Sequence, residues 1–165
     1  ICAGVSFLSA TESELAWYGK HAGVRTIGPN KVNQLAHVRF FETAEGLRQH
    51  MQLHREILVP KFEASRSALE ARLGGYEVAS WTDPEGGYFI DLSVGDGMAT
   101  QIVEMAAKAG VALTPAGAAY PYGKDPNDRH IRLAPTMPPL DEVEKAIDVV
   151  GLCTLLCAVR KAQAV

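Results

Sequence analysis

The amino-acid sequence predicts a layered α+β fold with an α/β element at its start. Short β-prone runs alternate with amphipathic helical stripes, two of those runs are neighbours across a Pro/Gly connection, and a long striped helix closes the chain. With 165 residues, 47% hydrophobic and 21% charged, the chain is long enough for an ordinary domain with a core and has the balance of a globular protein. Its formal net charge of -3 gives no electrostatic case for nucleic acid or an anionic membrane as partner.

The elements follow in order. Residues 3–9 (Ala-Gly-Val-Ser-Phe-Leu-Ser) are short, apolar and β-prone and read as a buried strand. Thr11 with Glu14 three residues on is a capping-box pattern, which starts a helix carrying Leu15, Trp17 and Tyr18, with Gly23 as its stop. After the Gly28-Pro29-Asn30 turn, Val32, Leu35, Val38 and Phe41 recur at near-helical spacing.

The longest helix is expected from Ala44 to Leu73, on the stripe Leu47, Met51, His54, Leu58, Phe62, Leu69 and Leu73. Pro60 inside it should kink or divide it, and Gly74-Gly75 should end it. Residues 76–81 and 87–92 read as neighbouring strands joined through a Pro/Gly turn. A helix over residues 99–109 faces inward with Ile102, Val103, Ala106 and Ala107. Residues 111–114 read as a short strand and 115–122 as a loop. Residues 130–134 form another strand, and Leu140 to about Ala162 a closing amphipathic helix.

Cys2, Cys153 and Cys157 are an odd set, two of them four apart on an apolar helix, which argues for reduced, buried thiols in a cytoplasmic protein. No apolar run approaches the roughly 20 residues of a membrane span. His50 and His54 could share a helix face toward a metal, but Met51 stands where an HExxH motif has its glutamate, so a solvated face is the better reading and no metal is expected.

Four patterns carry a family resemblance. Residues 84–89 (Pro-Glu-Gly-Gly-Tyr-Phe) resemble the P-x-G-G-[YF]-F element of fold type I aminotransferases, and residues 110–117 (Gly-Val-Ala-Leu-Thr-Pro-Ala-Gly) resemble their G-V-x-V-x-P-G segment. Residues 128–133 (Asp-Arg-His-Ile-Arg-Leu) resemble the strand carrying the arginine that binds the substrate carboxylate, and residues 140–147 the helix after it. Residues 28–34, running on to His37, Arg39 and Phe40, are similar to a bacterial aspartate-type subgroup.

The resemblance implies the C-terminal part of an aminotransferase that uses pyridoxal 5'-phosphate, acting on an amino acid and a 2-oxo acid, with aspartate as first guess. Residues 1–41 would be the last strand and helix of the large cofactor-binding domain plus the interdomain connection, and residues 42–165 the small domain. A cytoplasmic homodimer through the large domain is implied as well. None of the seven lysines stands in the Ser/Thr-rich context of the family's Schiff-base lysine, which is expected upstream of Ile1. The chain alone is therefore expected to be inactive and to bind the cofactor weakly, and no cofactor-contacting residue is assigned. Two other readings stand beside it: an aminotransferase-like effector domain of a transcription regulator, and a folding or dimerisation module without a site.

Arg132 is the candidate substrate-binding residue. A guanidinium meets a planar carboxylate with two parallel, charge-assisted hydrogen bonds and so fixes its orientation. Strand alternation puts His130, Arg132 and Ala134 on one face and Arg129, Ile131 and Leu133 on the other. If Ile131 and Leu133 face the core, Arg132 is left to a cleft. A strand arginine without context more often pairs with a surface carboxylate, and Arg129 keeps that reading. Tyr120 and Tyr122 are candidates by position alone, and Gly86 and Gly87 read as turn chemistry.

Overall fold

The computed structural model describes residues 4–163. Two compact units make up the chain, residues 1–54 and 55–165. In the first unit, residues 4–10 run without regular structure and are exposed. The expected strand over 3–9 is thus not formed where it can be followed, and Ala3 lies outside the described residues. A β-strand needs a ladder partner, and no segment among the described residues supplies one. The Gly4 carbonyl accepts instead from Asn33 Nδ2 at 3.1 Å.

Helix α1 spans Glu12–Arg25 and opens on the expected capping box, Thr11 accepting from the Glu14 N–H while the Glu14 carboxylate accepts from the Thr11 N–H. It runs through Gly23, which keeps a helical conformation. A glycine stops a helix by turning left-handed, and this one does not. Helix α2, Lys31–Phe41, is capped by the Asn30 side chain, which accepts from the Asn33 N–H at 3.0 Å.

Helix α3 spans Ala44–Leu73, the expected bounds, and contains the boundary between the units. Pro60 does not divide it: one missing donor is tolerated within a helix of 30 residues. Only the second half of its stripe is buried, with Leu69 and Leu73 enclosed while Leu47 and Met51 are exposed. No described residue of the first unit is buried.

In the second unit α3 ends as the sequence predicts. The Gly74 N–H bonds the Glu70 carbonyl and Gly75 takes φ +82°, a left-handed turn open to glycine at little cost. Strands β1 (Ala79–Trp81), β2 (Ile90–Val94) and β3 (His130–Leu133) form an antiparallel sheet in that order. β1 is shorter than expected because residues 77–78 turn, and β2 starts later because Gly87, at φ +86°, interrupts the extended run.

The register pairs Trp81 with Leu92, Ile90 with Leu133 and Asp91 with Arg132. One sheet face is apolar: Ile90, Leu92, Val94, Ile131 and Leu133 are buried in one cluster with Leu69 and Leu73 of α3. Helices α4 (Ala99–Lys108) and α5 (Leu140–Gln163) pack together and supply Ile102, Ala106, Val143, Ile147 and Val150 to it. Ala107, expected inside, is exposed. Arg72 and Asp148 tie α3 to α5, Nε donating at 2.8 Å.

Residues 111–114 are not a strand. The Val111 N–H bonds the Ala106 carbonyl at the end of α4, and Val111 and Leu113 pack against the core from an irregular segment. The apolar alternation is used for burial without a ladder. Cys153 and Cys157 are free thiols on the buried face of α5, and burial raises the pKa of both. Cys2 lies outside the described residues. Among the described residues no helix is long and apolar enough to cross a membrane.

Candidate functional site

The polar face of the sheet carries the candidate site. Since Ile131 and Leu133 point into the core, His130 and Arg132 must emerge on the opposite face, together with Asp91 of β2. These three side chains, with Phe89, Ala119 and Tyr120, line a cleft of about 410 Å³. Tyr120 arrives on the loop after residue 115, its ring 5.7 Å from that of His130.

Gly117 shapes that loop. It is buried at φ +81°, and a Cβ there would collide with the Gly123 carbonyl, so the chain folds back on itself with no side chain between. Tyr122, the other tyrosine candidate, sits in a 3-10 turn (Pro121–Gly123), fully exposed and outside the cleft lining.

Arg132 is the unusual group. Its Nε is buried with no hydrogen-bond partner, and its guanidinium carbon lies 4.6 Å from the centroid of the Phe89 ring. A buried donor left unmade costs about 1–3 kcal/mol, so this one is in want of an acceptor. The ring supplies a cation–π contact and holds the guanidinium without occupying its hydrogen-bonding edge. The nearest acid in the register, Asp91, is spent elsewhere: its carboxylate accepts from His130 Nδ1 at 2.9 Å. An ionised carboxylate only accepts, so Nδ1 carries the proton.

Two aspartates before β3 hold the strand in place. The Asp125 carboxylate accepts from the backbone N–H groups of Asn127, Arg129 and His130, at 2.8 Å for Arg129 and 2.9 Å for His130. Burial would raise its pKa, but those three donors and the neighbouring His130 outweigh that and hold it below the ordinary carboxylate range. Asp128 takes a left-handed φ of 48° and caps α4 from a distance, accepting from Thr100 N–H at 3.0 Å and Thr100 Oγ1 at 2.7 Å. Met98, the local N-cap position, makes no side-chain cap of its own. Arg129 would share the core face of Ile131 and Leu133 if the strand reached it, but it lies just before β3 and forms a surface ion pair with Asp96 at 3.4 Å.

The cleft does not suit pyridoxal phosphate by itself. No lysine lines it. Lys61 donates to the Thr136 and Pro138 carbonyls, Lys161 to the Asp96 carbonyl, and Lys145 pairs with Asp141. What the cleft offers is one cation with a vacant donor edge and an aromatic backing, which suits a carboxylate and not a cofactor cradle. His50 and His54 meet at their Nε2 atoms at 3.1 Å, and no group of three or more metal-ligand side chains occurs among the described residues. A larger groove, about 490 Å³, lies along Glu63, Arg66, Glu70 and Trp81, but its arginine is already paired with Asp83 at 2.6 Å.

Sequence reasoning singles out Arg132 through the family resemblance of residues 128–133, with strand alternation setting its face, and Tyr120 through position; both side chains lie in the cleft lining. It missed Phe89, Asp91 and the His130 hydrogen bond as parts of the cleft. The bond between residues 91 and 130 is 39 positions apart, and no local spacing announces it.

Known proteins agree with this architecture. Residues 1–164 match the family model described as aspartate amino-transferase. A Mycolicibacterium smegmatis protein that carries an aminotransferase name is 55% identical over 156 residues, 94% of this chain and 36% of its own length. An aspartate aminotransferase of Corynebacterium glutamicum is 51% identical over the same shares. The crystal structure of an aspartate transaminase from C. glutamicum superposes with a TM-score of 0.85 at 50% identity, over 92% of this chain and 36% of that one. The chain thus spans about a third of the length of the relatives it matches. An HTH-type transcriptional regulator of Bacillus subtilis is also similar, 28% identical over 125 residues, 76% of this chain and 25% of its own length. On the match over residues 1–164, the chain belongs to the aspartate amino-transferase family.

Proposed function

We propose that this chain supplies the carboxylate-binding, substrate-orienting side of the site of a pyridoxal-phosphate-dependent aminotransferase. In that reading residues 1–41 are the edge of a large cofactor-binding domain with the interdomain connection, and residues 42–165 are the small domain. The partner substrates are an amino acid and a 2-oxo acid, with aspartate the first guess from the name of the C. glutamicum relative. The protein works in the cytoplasm as a homodimer. The cofactor and its lysine belong to the parent protein, outside the cleft described above.

The observation that carries the proposal is the buried, unpartnered Nε of Arg132 backed by Phe89. A planar carboxylate entering the cleft would complete that donor and be oriented by a second, parallel N–H. Holding one end of the substrate in a fixed orientation is worth more than its affinity, because the bond that reacts must be aligned before it breaks.

In the full-length enzyme, Arg132→Ala weakens binding of L-aspartate by about 2–4 kcal/mol, the cost of removing one partner of a desolvated charge pair. Arg132→Lys keeps the charge, loses the planar fork, and falls between the two. Steady-state KM checks both, and an unchanged KM in Arg132→Ala places the carboxylate site elsewhere. A second reading is favoured by the likeness to the B. subtilis regulator: the same cleft would sense an amino acid without converting it. Binding of L-aspartate without turnover alongside 2-oxoglutarate selects that reading.

A further inference from the structure

Arg132 and Asp91 stand directly opposite each other across β2 and β3. Directly opposed residues on one face of an antiparallel pair have Cβ atoms about 4.5–5.5 Å apart, and opposite charges there ordinarily pair. Here they do not. No ion pair joins them among the described residues, and Arg132 Nε is left without a partner. The Asp91 carboxylate turns to the diagonal neighbour, His130, at 2.9 Å. His130 faces Ser93 in the register, so its ring must reach along the sheet to meet Asp91, a span open to an aromatic side chain on the diagonal.

That ring is held from several sides. The His130 backbone N–H is bonded to Asp125, its ring packs against Tyr120, and its side chain is 29% exposed against 43% for Asp91. Arg132 is held apart by the Phe89 face. The acid has therefore been given a fixed alternative donor within the same cleft as the cation it would otherwise neutralise.

We propose that His130 is a positioning residue for the carboxylate site: by binding Asp91 it keeps that acid off Arg132 and leaves the guanidinium open to an incoming carboxylate. The inference rests on the reading of Arg132 as the carboxylate ligand and adds the element that keeps it available. Without His130, Asp91 swings to its opposite number, and every substrate carboxylate must displace an internal one.

The test is steady-state kinetics of the full-length holoenzyme with L-aspartate. His130→Ala raises KM by roughly 2- to 5-fold, the span of a half-exposed ion pair that must be broken, while kcat changes little. Asp91→Asn added to His130→Ala restores KM, because the competing acid is gone. His130→Asn, which keeps a donor near the position of Nδ1, recovers most of the loss. Asp91→Asn alone lowers KM by removing a negative charge beside the carboxylate site, and this variant carries the test if His130→Ala fails to fold.

A purely structural role for His130 gives a different pattern, a fall in kcat and thermal stability that Asp91→Asn does not repair, and that pattern overturns the proposal. So does a raised KM in Asp91→Asn alone. Arg132→Ala measured in parallel separates the two levels. If it leaves KM unchanged, the carboxylate reading of Arg132 fails. If it raises KM while His130→Ala does not, the positioning role alone fails.

Discussion

At the scale of single residues, the cleft is organised by what each polar group is denied. Arg132 lacks an acceptor at Nε because Asp91 has been taken by His130 and because Phe89 covers the guanidinium with a ring, which offers attraction but no lone pair. Phe89 is about half exposed, so its contact is worth the lower part of the cation–π range. Phe89→Leu accordingly lowers affinity for a carboxylate substrate by about 0.5–1 kcal/mol without touching the hydrogen-bonding groups. Isothermal titration of the full-length protein with L-aspartate checks this, and a loss equal to that of Arg132→Ala would mean that Phe89 contacts the ligand itself. The face of Arg132 was legible because β3 alternates apolar and polar side chains, so burial of Ile131 and Leu133 dictates where it emerges. Its choice as carboxylate ligand rested on the family resemblance of residues 128–133. Its neighbours were not legible, since Asp91 and His130 meet only once the strands are in register.

At the scale of elements, the segment before β3 does most to aim that strand. Asp125 collects three backbone N–H groups and Asp128 caps α4, so a short stretch fixes both the start of β3 and the helix beneath it. The pKa of Asp125 is lowered in the folded chain, so the ionised form is the one the fold prefers. Its stabilising contribution is complete above the unfolded carboxylate value near 3.9 and is lost as pH falls below that, through the folded pKa. Denaturant midpoints measured from pH 5 downward therefore fall in the wild type more steeply than in Asp125→Asn, and parallel curves would contradict the assignment. Helices were the legible elements: capping at Thr11 and Asn30 and the Gly74-Gly75 stop are local chemistry, readable from a few neighbouring residues. Strands were less so. Residues 4–9 and 111–114 have the right pattern, but a strand exists only by virtue of its partner, and neither segment pairs with one among the described residues. The remote cap by Asp128 was hidden for the same reason, lying 28 residues from Thr100.

At the scale of the molecule, the two units differ in what holds them. The second encloses a continuous apolar core between one sheet face and helices α3, α4 and α5. The first has no buried residue among those described, and Trp17, Val24, Leu35 and Phe40 stand exposed on its helices. Leu69→Ala, at a position with no exposure, therefore costs about 2–5 kcal/mol of unfolding free energy, whereas Leu35→Ala, 48% exposed, changes it by no more than about 0.5 kcal/mol. Urea denaturation of this chain compares them, and equal losses would show that the first unit has a core of its own. The proposed activity rests on one pairing, that of Arg132 with a substrate carboxylate. The most direct measurement of it is a double-mutant cycle on the full-length protein, binding L-aspartate and its α-carboxamide to wild type and to Arg132→Ala. The wild type should prefer the carboxylate by about 2–4 kcal/mol and the variant should lose most of that preference. A preference that survives the loss of Arg132 intact would contradict the account.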